Sequence, residues 1–203
     1  MKKAFTLAEI LITMGIVGVV SALTIPALNQ SWQRDSYVTQ LRKVYSEVAQ
    51  AAVRCKTDRN VQSLAEARLN NTTIKSNFID KYFVVIKNCG NTKTPCFAPT
   101  YKTVSGKSTV SSDFHSCATV DVIASGAALC TYWSSVNRIR IIVDVNGAKD
   151  PNIIGRDLFT MEVSNSGKVD DIDSKRVFAE DKTNPLESGG LGSIINASWK
   201  MTY

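Results

Sequence analysis

MKKAFTLAEILITMGIVGVVSALTIPAL, residues 1–28, decides how the rest of the chain is read. Lys2 and Lys3 lead into an apolar run from Ile10 to Leu28. Only Thr13, Ser21, Thr24 and the small or rigid Gly15, Gly18 and Pro26 interrupt it. With Phe5 to Ala8 added, the run reaches the roughly 20 residues that a helix needs to span a bilayer. The two lysines hold its N-terminus on the cytoplasmic side. Glu9 stands at the head of this segment, and an ionised side chain in hydrocarbon costs about 2.5 kcal/mol or more unless it finds a partner. Two plainer readings compete. One is a cleaved secretory signal with Val20-Ser21-Ala22 as the cut site, whose apolar region Glu9 would spoil. The other is a plain anchor, which gives Glu9 no role.

The start Lys3-Ala4-Phe5-Thr6-Leu7-Ala8-Glu9 resembles the class III leader of type IV pilins and type II secretion pseudopilins. The resemblance implies cleavage by a prepilin peptidase between Ala4 and Phe5, N-methylation of Phe5, and retention of the apolar helix in the mature protein. It makes Glu9 the family's acidic assembly residue, and Pro26 falls where that helix commonly carries a proline. The family usually has glycine before the cut; Ala4 is small enough for a tight subsite and implies slower processing. The new amine on Phe5 could then pair with Glu9 of a neighbouring subunit, since both charges are costly alone in hydrocarbon and tolerable together. Pro26 removes a backbone donor and suits a helix that bends or unwinds locally on packing; prolines in such helices are also simply tolerated.

Helical periodicity continues beyond Leu28. Trp32, Tyr37, Val38, Leu41, Val44, Tyr45, Val48, Ala51, Ala52 and Cys55 recur at three- and four-residue spacing against polar neighbours. A helix from Phe5 to about Cys55 is roughly 75 Å long at 1.5 Å per residue. Its first half is apolar all round; its second carries one stripe for a globular partner. Trp32 and Tyr37 suit the membrane–water boundary. Val61 to Leu69 reads as a short helix, Asn70-Asn-Thr-Thr as the least structured stretch, and Phe78 to Lys87 as a second short helix or a strand. Cys89 to Gly106 reads as loop. Strands follow at Val120–Ile123, Ala128–Trp133, Arg138–Val143 and Leu158–Val163, with turns at Ser125-Gly126 and Asn165-Ser-Gly-Lys168. Asp170 to Tyr203 reads as irregular, broken at Gly189-Gly190, with Ile194 to Tyr203 packing back.

These elements make one α+β architecture, pilin-like under the resemblance: a long N-terminal helix, half membrane and half amphipathic, on a small antiparallel sheet. Its parts are a leader at 1–4, a transmembrane and assembly helix at 5–30, and a periplasmic or extracellular head at 31–203. The roughly 150 residues beyond the helix are ample for a core.

Asp144-Val-Asn-Gly-Ala-Lys-Asp-Pro-Asn-Ile-Ile-Gly-Arg-Asp157 joins the last two of these strands and resembles a loop found in pseudopilin-like proteins. Asn and Gly for turns, Pro151 to set φ and aspartates to cap amides suit a self-bonded connection. The sharper reading is a calcium site on Asp144, Asn146, Asp150 and Asp157, as some pseudopilins carry an ion in this region, although EF-hand spacing is absent. The 5 cysteines would lie on the oxidising side of the membrane and favour disulfides. Cys89–Cys96 would staple the loop and Cys117–Cys130 would tie the hairpin entry to the second strand, leaving Cys55; other connectivities stay open.

Nothing in the sequence points to catalysis. His115 is the only histidine and lies in a polar stretch, and phosphate-loop, dinucleotide and paired-metal signatures are absent. The net charge is +6, or +4 once Lys2 and Lys3 leave with the leader, a mild excess that suits solubility. DNA binding needs a clustered basic stripe with aromatics, which Arg138, Arg140 and Tyr101 do not supply. The expected protein is thus a structural subunit of a type II secretion pseudopilus or type IV pilus, not an enzyme. The resemblance implies other pilin or pseudopilin subunits, the prepilin peptidase and an inner-membrane assembly platform as partners. It places a single-pass anchor in a bacterial inner membrane, with a periplasmic head that joins a periplasmic or surface filament. The alternative is a minor competence-type pilin whose head binds DNA or a surface.

Overall fold

Helix α1 runs without a break over Leu7–Asp58 in a computed structural model that describes residues 6–173 and 176–203. The leader and the residues flanking the expected cut, Ala4 and Phe5, lie outside the described residues. The chain divides into two units, 1–36 and 37–203. In the first, every large apolar side chain from Leu7 to Leu28 stands exposed, from Ile10 at 42 % to Leu7 at 77 %. The segment is long and apolar enough to cross a membrane, with a mean hydropathy of 2.2 in its most apolar window. The helix continues through Pro26, whose missing N–H leaves the Ala22 carbonyl without its helical donor.

In the second unit the remainder of α1 buries one stripe. Val38, Leu41, Val44, Val48, Ala51, Ala52 and Cys55 are buried, and Tyr37 and Tyr45 pack on the same cluster. Each fully buried Leu or Val there contributes roughly 1.5–3 kcal/mol relative to exposure. The stripe lies on an antiparallel six-stranded sheet in the order β1-β4-β5-β6-β7-β8. Its strands are β1 (Val85–Asn88), β4 (Thr119–Ile123), β5 (Ala128–Ser134), β6 (Arg138–Asp144), β7 (Leu158–Val163) and β8 (Val169–Asp170). Alternation divides the side chains. Leu129, Ile139, Ile141, Val143, Phe159, Met161 and Val163 face the cluster that holds α1. Val120, Ala128, Cys130, Ile142 and Leu158 join a second cluster with Phe97, Tyr101 and Phe114 on the opposite face. Covered on both faces, β7 is buried at all six positions, Thr160 and Glu162 included.

The second layer is built largely of loop. A two-stranded ribbon pairs β2 (Thr100–Lys102), inside the Cys89–Gly106 stretch expected to be loop, with β3 (Ser108–Val110) just beyond it. Three-residue strands are too short for alternation to declare themselves. Two disulfides, Cys89–Cys96 and Cys117–Cys130, hold this layer, and Cys55 is free and buried.

Other expectations change. Residues 61–69 form turns, not a helix, because their backbone is bonded from outside: the Leu64 and Ala65 amides donate to the Asn165 carbonyl and side chain at 2.9 and 2.8 Å, and the Arg59 guanidinium donates to the Ala67 carbonyl. Asn70-Asn-Thr-Thr is ordered. The Asn70 side chain accepts from the Thr72 and Thr73 amides at 2.9 and 3.0 Å, and Asn71 accepts from the Trp133 amide at 2.6 Å. The next segment is both helix and strand: a π-helical turn at Lys75–Ile79, then α2 (Asp80–Tyr82), then β1. After Gly189-Gly190 comes a helix, α3 (Gly190–Asn196), which buries Leu191 and Ile194. Trp199 then packs edge-on against Tyr45 at 5.2 Å.

Candidate functional site

Thr6 and Glu9 begin α1. The Thr6 amide and hydroxyl donate to Glu9 Oε2 at 2.8 and 2.9 Å, and the Glu9 amide donates to Thr6 Oγ1 at 3.2 Å. This is a capping box: threonine precedes the first helical residue, and the glutamate three positions on returns the bond. It satisfies two of the four amides that a helix start leaves unpaired. The Thr6-Leu-Ala-Glu9 spacing is legible in sequence, yet it passes unnoticed when Glu9 is read only as a buried charge. The carboxylate is fully exposed, so the chain supplies it with a hydroxyl and an amide but no cation among the described residues.

The Asp144–Asp157 connection occupies the head. Asp144 accepts from the buried Tyr101 hydroxyl and from the Asn146 amide. Asp157 accepts from the Asn152 and Ile153 amides at 2.7 and 2.6 Å. The Asn146 amide nitrogen donates to the Lys149 and Asp150 carbonyls, and Asp150 accepts from Asn152. Burial raises both carboxyls, Asp144 well above the usual range, with the Asp157 charge adding to it, and Asp157 to about 6. Burial also raises the Tyr37 phenol, and the charges of Asp157 and Asp144 push it the same way. The loop is tied to the ribbon as well: Lys102 donates to the Asn152 carbonyl and accepts from the Ile154 amide, each at 2.9 Å. The Tyr203 hydroxyl donates to the Gly155 carbonyl at 2.9 Å.

The calcium reading calls for a cluster of oxygen donors. The ion takes six to eight oxygens. Among the described residues no group of three His, Cys, Asp or Glu side chains is placed to hold a metal. Both oxygens of Asp144 and of Asp157 already accept from the protein's own donors, while Asn146 Oδ1 and Asn152 Oδ1 are buried acceptors without a partner. The carboxylates are thus bonded within the loop, and the two asparagine oxygens are not. Tyr101 is the residue that sequence reading left out of this loop, since it lies some forty positions away and only the ribbon brings it to Asp144.

The remaining candidates are dispersed. His115 is exposed and stacks on Tyr132 with ring centroids 4.0 Å apart. Arg138 and Arg140 both pair with Glu162, the latter at 2.9 Å, and Tyr101 is buried, so the three make no basic, aromatic stripe. Comparison with protein-family models, curated proteins and solved structures gives no match.

Proposed function

We propose that this chain is a pilin-like structural subunit of a type II secretion pseudopilus or type IV pilus, which a prepilin peptidase processes and which polymerises through its N-terminal helix. One observation carries the reading. A single helix begins with some twenty residues of exposed apolar surface and ends with a stripe buried in an α+β head. Exposed surface of that extent needs lipid or other apolar helices around it. Each copy offers the same surface, so neighbouring copies can cover one another. Glu9 then meets the amine that cleavage leaves on Phe5 of the adjacent subunit, and the register between subunits follows from that pair.

Mass spectrometry of the mature N-terminus, with imaging of sheared filaments, tests the proposal. Loss of Met1 to Ala4, a methyl group on Phe5 and filaments containing the chain are expected. A mature N-terminus at Leu23 would establish a secretory signal instead, and a processed chain that never leaves the monomeric state would remove the filament role.

A further inference from the structure

Lys93 is the only buried lysine among the described residues, 9 % exposed. Its backbone lies inside the Cys89–Cys96 loop, where its carbonyl accepts from the Cys96 and Phe97 amides at 2.9 and 2.8 Å. The position is therefore rigid. Its ammonium donates to the Phe114 carbonyl at 3.3 Å, its one hydrogen bond among the described residues. None of the ion pairs among the described residues includes it. An ammonium has three donors, so two are unspent, and a buried charge without a counter-charge is among the more expensive features a fold can keep. Burial alone pushes this group below the usual lysine range.

The same residue lines a cleft of about 480 Å3. Thr92, Ser111 and Ser112 supply hydroxyls to its wall and Pro99 and Val110 supply apolar surface; no acidic side chain lines it among the described residues, although the Ser112 hydroxyl donates to the neighbouring Asp113 at 3.4 Å and that of Thr92 to the Cys89 carbonyl at 2.9 Å. Ser111 is buried and anchored, its amide donating to the Pro99 carbonyl at 2.9 Å. The cleft belongs to the disulfide-held layer, on the sheet face away from α1. The inference uses residues of the head alone and does not rest on the filament reading.

A lone buried cation calls for a single negative charge, which a carboxylate supplies; a phosphate dianion would call for a second cation, and the wall has none. Hydroxyls both donate and accept, which matches a polyol, and Pro99 with Val110 matches the C–H face of a sugar ring. We propose that this cleft binds an acidic sugar, the hexuronate class of glycan unit, with its carboxylate on the Lys93 ammonium and its hydroxyls on the serine and threonine wall.

Full-length protein in detergent micelles, titrated calorimetrically at constant ionic strength with glucuronate, glucose, acetate and inorganic phosphate, tests this. Glucuronate should saturate, and glucose, acetate and phosphate should each bind at least about tenfold more weakly, a difference near 1.4 kcal/mol. Lys93→Gln should weaken glucuronate by a similar factor, while Lys87→Gln, at an exposed position on β1, should leave it unchanged. Should Lys93→Gln not fold, Ser112→Tyr, which fills the cleft from an exposed position, should abolish binding with Lys93 intact. Glucuronate binding no tighter than glucose, phosphate binding as tight as glucuronate, or binding that survives Ser112→Tyr would each overturn the proposal.

Discussion

Thr6 and Glu9 exchange backbone donors at the start of α1: the Thr6 amide donates to the Glu9 carboxylate at 2.8 Å, and the Glu9 amide to the Thr6 hydroxyl at 3.2 Å. Glu9 therefore has a role within its own chain, capping the helix, beside the role proposed between chains. The two are separable because only one needs a charge. Glutamine closes a capping box as glutamate does, but it cannot neutralise an amine.

Glu9→Gln should leave helix content and membrane insertion intact while blocking filament formation. Thr6→Ala, which removes the cap but keeps the carboxylate, should cost about 1 kcal/mol of helix stability and still assemble. Circular dichroism of the purified variants and imaging of sheared filaments read the two effects. Filaments of normal abundance from Glu9→Gln would refute the charge-pairing role and leave the capping box as the reason for the residue.

The two halves of α1 should respond oppositely to truncation. Leu41→Ala removes a side chain with no exposure and should destabilise the head by about 2–5 kcal/mol. Leu23→Ala, at a position 74 % exposed, should leave head stability unchanged and weaken only association. Denaturant unfolding of the full-length protein, followed by fluorescence of Trp133 and Trp199, which pack on the head core, separates them. Equal losses from both would mean that the exposed segment contributes to the fold of the head.

Asp157 should make stability depend on pH in a defined window. Its carboxyl rises from an ordinary 3.8 to about 6 because burial outweighs the amides that favour its charge. The native state then binds the proton more tightly than the unfolded chain, so this group's contribution is greatest at low pH and is lost as pH rises through that interval. The full swing is on the order of 2–3 kcal/mol. Asp144 shifts in the same direction and adds to the slope. Asp157→Asn should flatten stability against pH between about 4 and 6, whatever its effect on stability at a single pH. An unchanged slope would show that the group does not titrate there.

The thiol count should distinguish native from unfolded protein. Cys55 has no exposure, and burial pushes its thiol upward, so a thiol reagent should label nothing in the native state and one site after unfolding. Cys117→Ser together with Cys130→Ser should cost roughly 3 kcal/mol through the loop entropy released in the unfolded chain. Labelling of more than one thiol in unreduced, unfolded protein would contradict the Cys89–Cys96 and Cys117–Cys130 pairing.

Long-period patterns were legible in the chain: the helix to about Cys55, the four central strands, the Ser125-Gly126 turn between the first two and the Asn165–Lys168 turn after the last. Short or mutually dependent pieces were not. The ribbon β2–β3 has three residues a side, and the residue 61–69 segment has helical spacing, yet Asn165, a hundred residues on, takes its amides. In the Asp144–Asp157 loop the residue types announce a turn, but the Tyr101 hydroxyl and the Lys102 backbone that complete it come from a separate element.

Sequence alone determined that Leu7 to Leu28 is apolar on every side and that the following thirty residues are apolar on one, because a helix repeats every 3.6 residues and shows its partner in its spacing. It also determined where a charge interrupts that surface. Only the tertiary structure decided which carboxylates are spent inside the loop, that Lys93 is buried with no acid paired to it among the described residues, and that the sheet is covered on both faces. Those facts depend on which distant groups arrive at one point in space, and local periodicity carries no record of that.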